Sequence, residues 1–269
     1  MDALPNTAES QLADALRKLR QPGFEAALFS LLRRVAAPDN LLVLAYRDAE
    51  PPQVLYQCAD HPQVFARLEA TYLAGAYLLD PFFDMHLTRA AKGLYRLRDV
   101  APDAFVRSRY YIEYYEQTTL VDEATFVTYP APGVTLSLCI GRDVSSGQPF
   151  LPREVELCTR IAPIICALAE AHWASLTSTP APVDDPGAVL VRALEAARNI
   201  HLSPRQVAVA LLILRGHSTV SIALRLGVAA QTVKVFRKQL YRRCGISSQA
   251  ELFAMILPLL KGGLSPPTP

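Results

Sequence analysis

The sequence lacks the features of an exported or membrane-embedded protein. A membrane-spanning helix requires about 18 consecutive apolar residues, and no apolar segment approaches this length. The first residues are polar, without the basic and then apolar segments of a secretory signal. We therefore expect a cytoplasmic protein that contacts no membrane.

Signatures of metal binding and catalysis are also scarce. The five cysteines include no C-x-x-C pair, so the sequence predicts neither a disulfide framework nor a zinc site, and we expect buried free thiols. The five histidines stand apart without metal-ligand spacing, and no P-loop, dinucleotide fingerprint or nucleophile elbow occurs. The sequence therefore predicts no enzyme, no cofactor and no metal site.

Acidic residues are absent from one segment near the carboxyl end. Residues 200–250 contain eight Lys and Arg but no Asp or Glu, whereas the rest of the chain contains 19 basic and 25 acidic residues. Such a basic segment is typical of a nucleic-acid-binding module. Residues 176–187, LTSTPAPVDDPG, are rich in Pro, Ser, Thr and Asp and predict a linker. We therefore divide the chain into a domain at 1–175, a linker at 176–187 and a second domain at 188–269.

The first domain mixes helices and strands. Apolar residues spaced by three and four predict helices at residues 8–20, 24–36, 62–75, 106–117 and 151–176. Two pairs of apolar segments joined by short turns predict hairpins, at 41–59 and 124–142. Hairpins indicate an antiparallel sheet, and the flanking helices complete an α+β fold, an α/β/α sensor sandwich.

The second domain is predicted to be entirely helical. Ser203 caps a helix that Gly216 ends, and Ser218 caps a shorter helix that Gly227 ends. A further helix follows at 230–243. Two short helices joined by a Gly-containing turn are typical of the helix-turn-helix.

One face of the helix at 230–243 carries positive charge. Lys234, Arg237 and Lys238 are spaced by three and four, so they lie on a common face. A helix-turn-helix inserts such a face into the major groove, and Arg242 at the helix end is placed to reach phosphate. A solvated basic helix is the simpler alternative. The helix pair around the Gly turn and the absence of acids favour DNA binding.

Residues 202–251 resemble the LuxR/GerE-type DNA-binding domain. The resemblance rests on Leu202-Ser203-Pro204-Arg205, Gly216, Ile222-Ala223, Leu226-Gly227-Val228, Thr232-Val233-Lys234 and Gly245-Ile246-Ser247-Ser248. It implies a four-helix fold whose third helix contacts double-stranded DNA, usually as a homodimer, with RNA polymerase as a further partner. The DNA-binding residues expected are Ser218, Thr232, Lys234, Arg237, Lys238 and Arg242.

Several positions depart from the family pattern. Gln206 and Ala208 stand where Glu is usual, and Val220-Ser221 stands where Lys-Glu is usual. Phe236 and Gln239 stand where His or Asn is frequent. The missing acids remove internal ion pairs. These changes keep a rival function open, an antiactivator or adaptor whose helix-turn-helix binds protein rather than DNA.

The first domain resembles the autoinducer-binding-like or GAF/PAS-like sensors that precede such domains. In the acyl-homoserine-lactone branch an Asp-Pro pair supplies the carboxylate that binds the ligand amide, and Asp80-Pro81 matches this pair. Tyr95 matches an aromatic residue further on. The Tyr and Trp that precede the Asp in that branch are replaced by Thr71 and Arg67, with Tyr72 one position away.

Aromatic and acidic residues indicate a ligand pocket in this domain, because pockets combine aromatic walls with a few placed polar groups. Asp80 has a simpler interpretation as a helix cap, and the tyrosines between 110 and 115 as core or dimer contacts. Asp122-Glu123 is suited to pair with a cation, so an amine-bearing ligand stays open beside a lactone. The ligand-binding residues expected are Tyr72, Tyr77, Asp80, Tyr95, Tyr111 and Asp122.

These features together predict a ligand-responsive, DNA-binding transcriptional regulator of the LuxR type that acts as a homodimer. Its small-molecule signal is a lactone or an amine-bearing compound. No receiver-like acidic cluster precedes the basic segment, so control by a phosphorelay is not expected.

Overall fold

The computed structural model describes residues 7–47, 50–178 and 186–262. Its centre is a five-stranded antiparallel sheet in the order β2-β1-β5-β4-β3. The strands are β1 (Asn40–Arg47), β2 (Glu50–Ala59), β3 (Gly93–Arg96), β4 (Leu120–Ala131) and β5 (Val134–Asp143). The sheet and its two hairpins confirm the predicted α+β fold, whereas the four-residue strand β3 was not predicted.

Long helices cover one face of this sheet. They are α1 (Ala8–Arg17), α2 (Phe24–Ala36) and α6 (Pro152–His172). Residues two apart on a strand share a face, so Ala124 and Phe126 of β4 enter the core beneath these helices. Glu123 and Val127 of the same strand lie on the opposite face.

Short helical segments cover the opposite face. The helices α3 (Pro81–Thr88), α4 (Leu97–Val100) and α5 (Arg109–Glu113) alternate with single turns at Pro62–Phe65, Leu68–Leu73, Ala76–Leu79, Phe105–Arg107 and Tyr115–Thr118. The predicted helices at 62–75 and 106–117 are therefore wrong in extent. Gly75, at a φ of 142°, separates the turn at Leu68–Leu73 from the turn at Ala76–Leu79. Ser108 is extended, so it separates the turn at Phe105–Arg107 from α5, which it caps.

Five helices form the carboxyl-terminal lobe, residues 186–262. They are α7 (Pro186–Arg198), α8 (Pro204–Arg215), α9 (Thr219–Leu226), α10 (Ala230–Cys244) and α11 (Gln249–Gly262). Gly216, Gly227 and Gly245 end α8, α9 and α10 in the left-handed conformation that favours glycine. The chain bends by 104° between α9 and α10, within the range of a helix-turn-helix.

The carboxyl-terminal lobe packs against the amino-terminal lobe, residues 7–47 and 50–178. Buried residues of both lobes belong to one hydrophobic core. At the boundary Arg215 of α8 pairs with Asp84 of α3 at 2.8 Å and donates to the carbonyl of Leu78. The amide of Ala104 donates to the carbonyl of Gly216 at 3.0 Å. Both polar and apolar contacts therefore join the lobes.

The predicted linker is only partly visible, because residues 179–185 lie outside the described residues. The division at 175 and 188 therefore stays a prediction. Among the helices described, none is by itself long and apolar enough to cross a membrane.

Candidate nucleic-acid interface and ligand cavity

The helix α10 presents a basic face to solvent. Lys234, Arg237 and Lys238 are exposed and follow one another at the spacing of one helix face. Val233 and Leu240 are 1% and 0% exposed, and they hold α10 against the lobe. The helix therefore directs these charges away from the core, as a helix that enters the major groove requires.

Two further predicted DNA-binding residues lie on the same helix. Thr232 in the first turn of α10 is half-buried, and Arg242 in the last turn is exposed. The adjacent Arg243 donates from its guanidinium to the carbonyl of His201 at 2.7 Å. This bond attaches the carboxyl end of α10 to the segment before α8.

Ser218, the remaining predicted phosphate contact, faces the amino-terminal lobe. Its hydroxyl accepts a hydrogen bond from the amide of Ser221 at 3.2 Å, which caps α9. Its own amide donates to Oδ1 of Asp103 at 2.9 Å. Hydrogen bonds from Ser218 lower the pKa of the Asp103 carboxyl. An acidic side chain of the other lobe thus occupies the start of α9.

One departure from the family pattern has a direct structural consequence. Gln206 is buried, and its side chain accepts from the amide of Ser203 at 3.0 Å to complete a capping box. Its amide group donates to Gln239 of α10 at 3.4 Å. A neutral hydrogen bond therefore joins α8 to α10 where the resemblance implies an acidic residue.

A cavity of about 50 Å³ lies between the sheet and the short helical segments of the amino-terminal lobe. Its lining includes apolar side chains such as Leu42 and Leu68. Its titratable lining residues are two acids, four tyrosines and one thiol, namely Asp80, Glu123, Tyr72, Tyr110, Tyr114, Tyr115 and Cys139. This combination of aromatic walls and few polar groups is typical of a ligand pocket.

Asp80 combines the two roles that the sequence suggested for it. One carboxyl oxygen accepts from the amide of Phe82 at 2.8 Å and caps α3. The other accepts from the hydroxyl of Tyr72 at 2.7 Å, and that hydroxyl lies 2.8 Å from the hydroxyl of Tyr46. Asp80 is thus both a helix cap and a carboxyl group at the cavity.

Burial raises the pKa of both cavity carboxyls. Desolvation raises the pKa of Asp80 from 3.8 to about 6, although hydrogen bonds from Tyr72 and the Phe82 amide oppose the rise. Desolvation, and then the charge of Asp80, raise the pKa of Glu123 from 4.5 to about 8 against a hydrogen bond from Tyr115. At neutral pH the cavity therefore holds a negative charge mainly on Asp80 and a proton mainly on Glu123.

In the part of the chain that the structure describes, no ion pair involves Asp80 or Glu123. Asp122, by contrast, pairs with Arg96 at 3.2 Å and with Arg98 at 3.1 Å. Within the described residues, the Asp80 carboxylate is therefore stabilised by hydrogen bonds from two neutral groups, the Tyr72 hydroxyl and the Phe82 amide.

Four of the predicted ligand-binding residues lie outside this cavity lining. The buried ring of Tyr77 packs on Tyr72 and Phe83, behind the wall. The hydroxyl of Tyr95 donates to the carbonyl of Ala91 at 2.6 Å. Tyr111 and Asp122 border a surface depression beside Arg98, and this depression shares Tyr115 and Glu123 with the cavity. Of the six predicted ligand-binding residues, Tyr72 and Asp80 thus line this cavity and the other four do not.

Glu123, Tyr110 and Tyr114 line the cavity although they were not among the predicted ligand-binding residues. The available signal was strand alternation, which places Asp122 and Glu123 on opposite faces of β4. Alternation does not tell which face is covered by the aromatic segments, because that depends on contacts distant in sequence.

Known proteins share both parts of this architecture. Residues 201–256 match the family model GerE, bacterial regulatory proteins of the luxR family. A protein of Aeromonas salmonicida, named as an HTH-type transcriptional regulator in the exeN 3′ region, is 28% identical over 185 residues. That match covers 66% of this chain and 93% of the relative.

Two solved structures are similar to the chain. The VqsR LBD domain from Pseudomonas aeruginosa has a TM-score of 0.53 and 24% identity, and the match covers 64% of this chain and 99% of that domain. This likeness shows a shared fold. SdiA from Escherichia coli has a TM-score of 0.40 and 14% identity, over 96% of this chain and 99% of that one. At residues 201–256, behind an α+β lobe, the chain therefore carries a helix-turn-helix domain of the LuxR family.

Proposed function

We propose that this chain is a ligand-responsive transcription regulator that binds double-stranded DNA as a homodimer in the cytoplasm. The observation that carries the proposal is the exposed basic face of α10 within a LuxR-type domain. Lys234, Arg237 and Lys238 contact base edges and phosphates in the major groove, because base contacts select a sequence and phosphate contacts provide affinity. Thr232 and Arg242 extend these contacts along the helix.

The cavity of the amino-terminal lobe supports the ligand-responsive part of the proposal. A lactone ligand would place its amide N–H against the Asp80 carboxylate, and an amine-bearing ligand would place its ammonium group between Asp80 and Glu123. Because the lobes share one hydrophobic core, a ligand that moves the cavity wall also acts on α8 and α11. Through this shared core, a ligand bound in the cavity changes the affinity of the helix-turn-helix for DNA.

Selection of bound duplexes from a random pool tests the proposed function. A two-fold dimer presents two α10 helices to successive major grooves, so the enriched sequence is expected to be a palindrome with half-sites about 10 base pairs apart. The unselected pool is the control. A folded chain that enriches no motif contradicts the proposal, and an enriched motif without symmetry contradicts the homodimer.

A second candidate function is that of an adaptor or antiactivator that binds protein. The observation that favours it lies on α9, where Val220 and Leu224, one turn apart, are 63% and 79% exposed. Apolar side chains this exposed are suited to a protein contact. The same selection separates the two functions, because an adaptor enriches no duplex at any salt concentration.

A further inference from the structure

We propose that the cavity of the amino-terminal lobe binds a small primary amine as its ammonium ion, held between the carboxyl groups of Asp80 and Glu123. This inference rests on the proposed function only in treating the cavity as the ligand pocket. It does not depend on DNA binding.

The donor and acceptor groups of the cavity fit a cation. An ammonium group has three donors and no acceptor, so it requires acceptors around it. Asp80 enters from the start of α3 and Glu123 from β4, and no basic side chain among the described residues pairs with either. The rings of Tyr110 and Tyr114 form part of the wall and add attraction for a cation through their π faces.

The size of the cavity restricts the ligand. A water-sized group needs about 10–15 Å³ of such space, so a cavity of about 50 Å³ has room for roughly three to five of them. A primary amine with up to about five non-hydrogen atoms fits this space, whereas a long acyl chain requires the wall to move. The probe of choice is therefore n-butylamine.

Proton release distinguishes an amine from a neutral ligand. The titratable groups that act on the two carboxyls are Asp84, Asp122, Cys139 and five tyrosines, Tyr46, Tyr72, Tyr110, Tyr114 and Tyr115. Burial raises the pKa of these tyrosines and of the thiol well above their usual ranges, so they stay neutral at pH 7. An arriving ammonium ion favours the charged form of Glu123, whose proton then leaves to the buffer.

Titration calorimetry of the full chain tests this site. With n-butylamine at pH 7, in two buffers of different ionisation enthalpy, we expect binding with release of up to about one proton. The neutral analogue n-butanol and N-butanoyl homoserine lactone are expected to release none. Glu123→Gln is expected to abolish the proton release and to weaken amine binding by about tenfold or more, because a bond to a charged group is lost.

Two further variants make the test specific. Glu116→Gln removes an exposed carboxyl close to Glu123 in sequence and is expected to leave amine binding unchanged. Asp80→Asn is a second cavity variant and is expected to weaken binding likewise. Failure of the amine to bind, or an equal effect of Glu116→Gln, overturns this inference. If the amine does not bind but the separate DNA selection enriches a palindrome, this inference fails and the proposed regulator function stands.

A second observation, at the boundary between the lobes, carries an independent inference. We infer that Asp103 restrains DNA binding by occupying the start of α9. The first helix of a helix-turn-helix crosses the DNA backbone, and amides at a helix start bind phosphate. The Asp103 carboxylate already accepts from the amide of Ser218 at 2.9 Å. A phosphate and this carboxylate therefore compete for one donor.

The surrounding contacts hold the carboxylate in this position. Ala104, the next residue, donates to the carbonyl of Gly216 at 3.0 Å. A Cβ atom at Gly216 would lie 2.8 Å from the Cα of Phe105, so the two backbones are in close contact there. The ion pair between Arg215 and Asp84 lies at the same boundary. Release of α9 thus requires the lobes to separate.

Gel shifts with a duplex of mixed sequence, in the absence of added ligand, test this restraint. Asp103→Ala is expected to raise affinity by about fivefold or more beyond the matched variant Asp99→Ala, which removes an exposed acid from α4. Asp84→Asn, which removes the ion pair with Arg215 of α8, is also expected to raise DNA affinity. Equal affinities of Asp103→Ala and Asp99→Ala overturn the inference, whatever the amine titration shows.

Discussion

Replacing Lys234 and Arg237 together by Ala is expected to weaken DNA binding by about a hundredfold, since each contact of this kind contributes about 1–3 kcal/mol. Both side chains are exposed on α10, and the buried anchors Val233 and Leu240 are untouched. The unfolding free energy should therefore change by less than about 0.5 kcal/mol. Gel shifts with a selected duplex and urea unfolding measure the two effects.

A charge-matched control separates a specific contact from a general loss of positive charge. Arg153 lies in the first turn of α6 and Arg198 ends α7, and both are exposed. The double variant Arg153→Ala, Arg198→Ala removes the same charge from other surfaces and is expected to retain most of the affinity. Equal losses in the two double variants would refute the assignment of α10 as the DNA-contacting helix.

Replacing Glu123 by Gln is expected to stabilise the protein at pH 8 by roughly 2–3 kcal/mol, after a discount for partial exposure of the residue. The pKa of Glu123 is raised in the folded chain, from 4.5 to about 8. The folded state thus holds a proton that the unfolded state releases, and stability falls as pH rises through this window. The Gln side chain does not titrate in this range, so the variant loses less stability as pH rises.

Urea unfolding between pH 5 and pH 8 measures this difference. Asp80, whose pKa is raised from 3.8 to about 6, contributes a similar but smaller decline in stability between these two pH values. That decline persists in the Glu123→Gln variant. Glu116→Gln removes an exposed carboxyl and is expected to follow the wild type at every pH. A parallel decline in Glu123→Gln and wild type would show that Glu123 is ionised in the folded protein throughout.

The helix-turn-helix was predictable because its signals are local. Ser203 and Ser218 cap α8 and α9, and Gly216 and Gly227 end them, as expected from sequence. The basic spacing of Lys234 and Arg237 needs only the helical period. Each signal lies within a few residues of the structure it specifies.

The cavity was less predictable because it depends on contacts between distant segments. The repeated tyrosines before Glu116 suggested one continuous helix, but α5 ends at Glu113 and a separate turn begins at Tyr115, so the rings of Tyr110, Tyr114 and Tyr115 enter the core from two segments. Asp122 and Glu123 are adjacent, and only the tertiary fold decides that Glu123 faces the cavity. The contact of Asp103 with α9 joins residues far apart in the chain, so no local pattern indicates it.

The dependence of DNA affinity on salt is the most direct test of the central claim, that α10 binds duplex DNA through its exposed basic face. Each neutralised phosphate adds about −0.9 to the slope of log affinity against log salt. We expect a steep negative slope for the wild type and a slope shallower by about 1–2 in Lys234→Ala, Arg237→Ala. A flat slope in the wild type, or identical slopes in the two proteins, would contradict the claim.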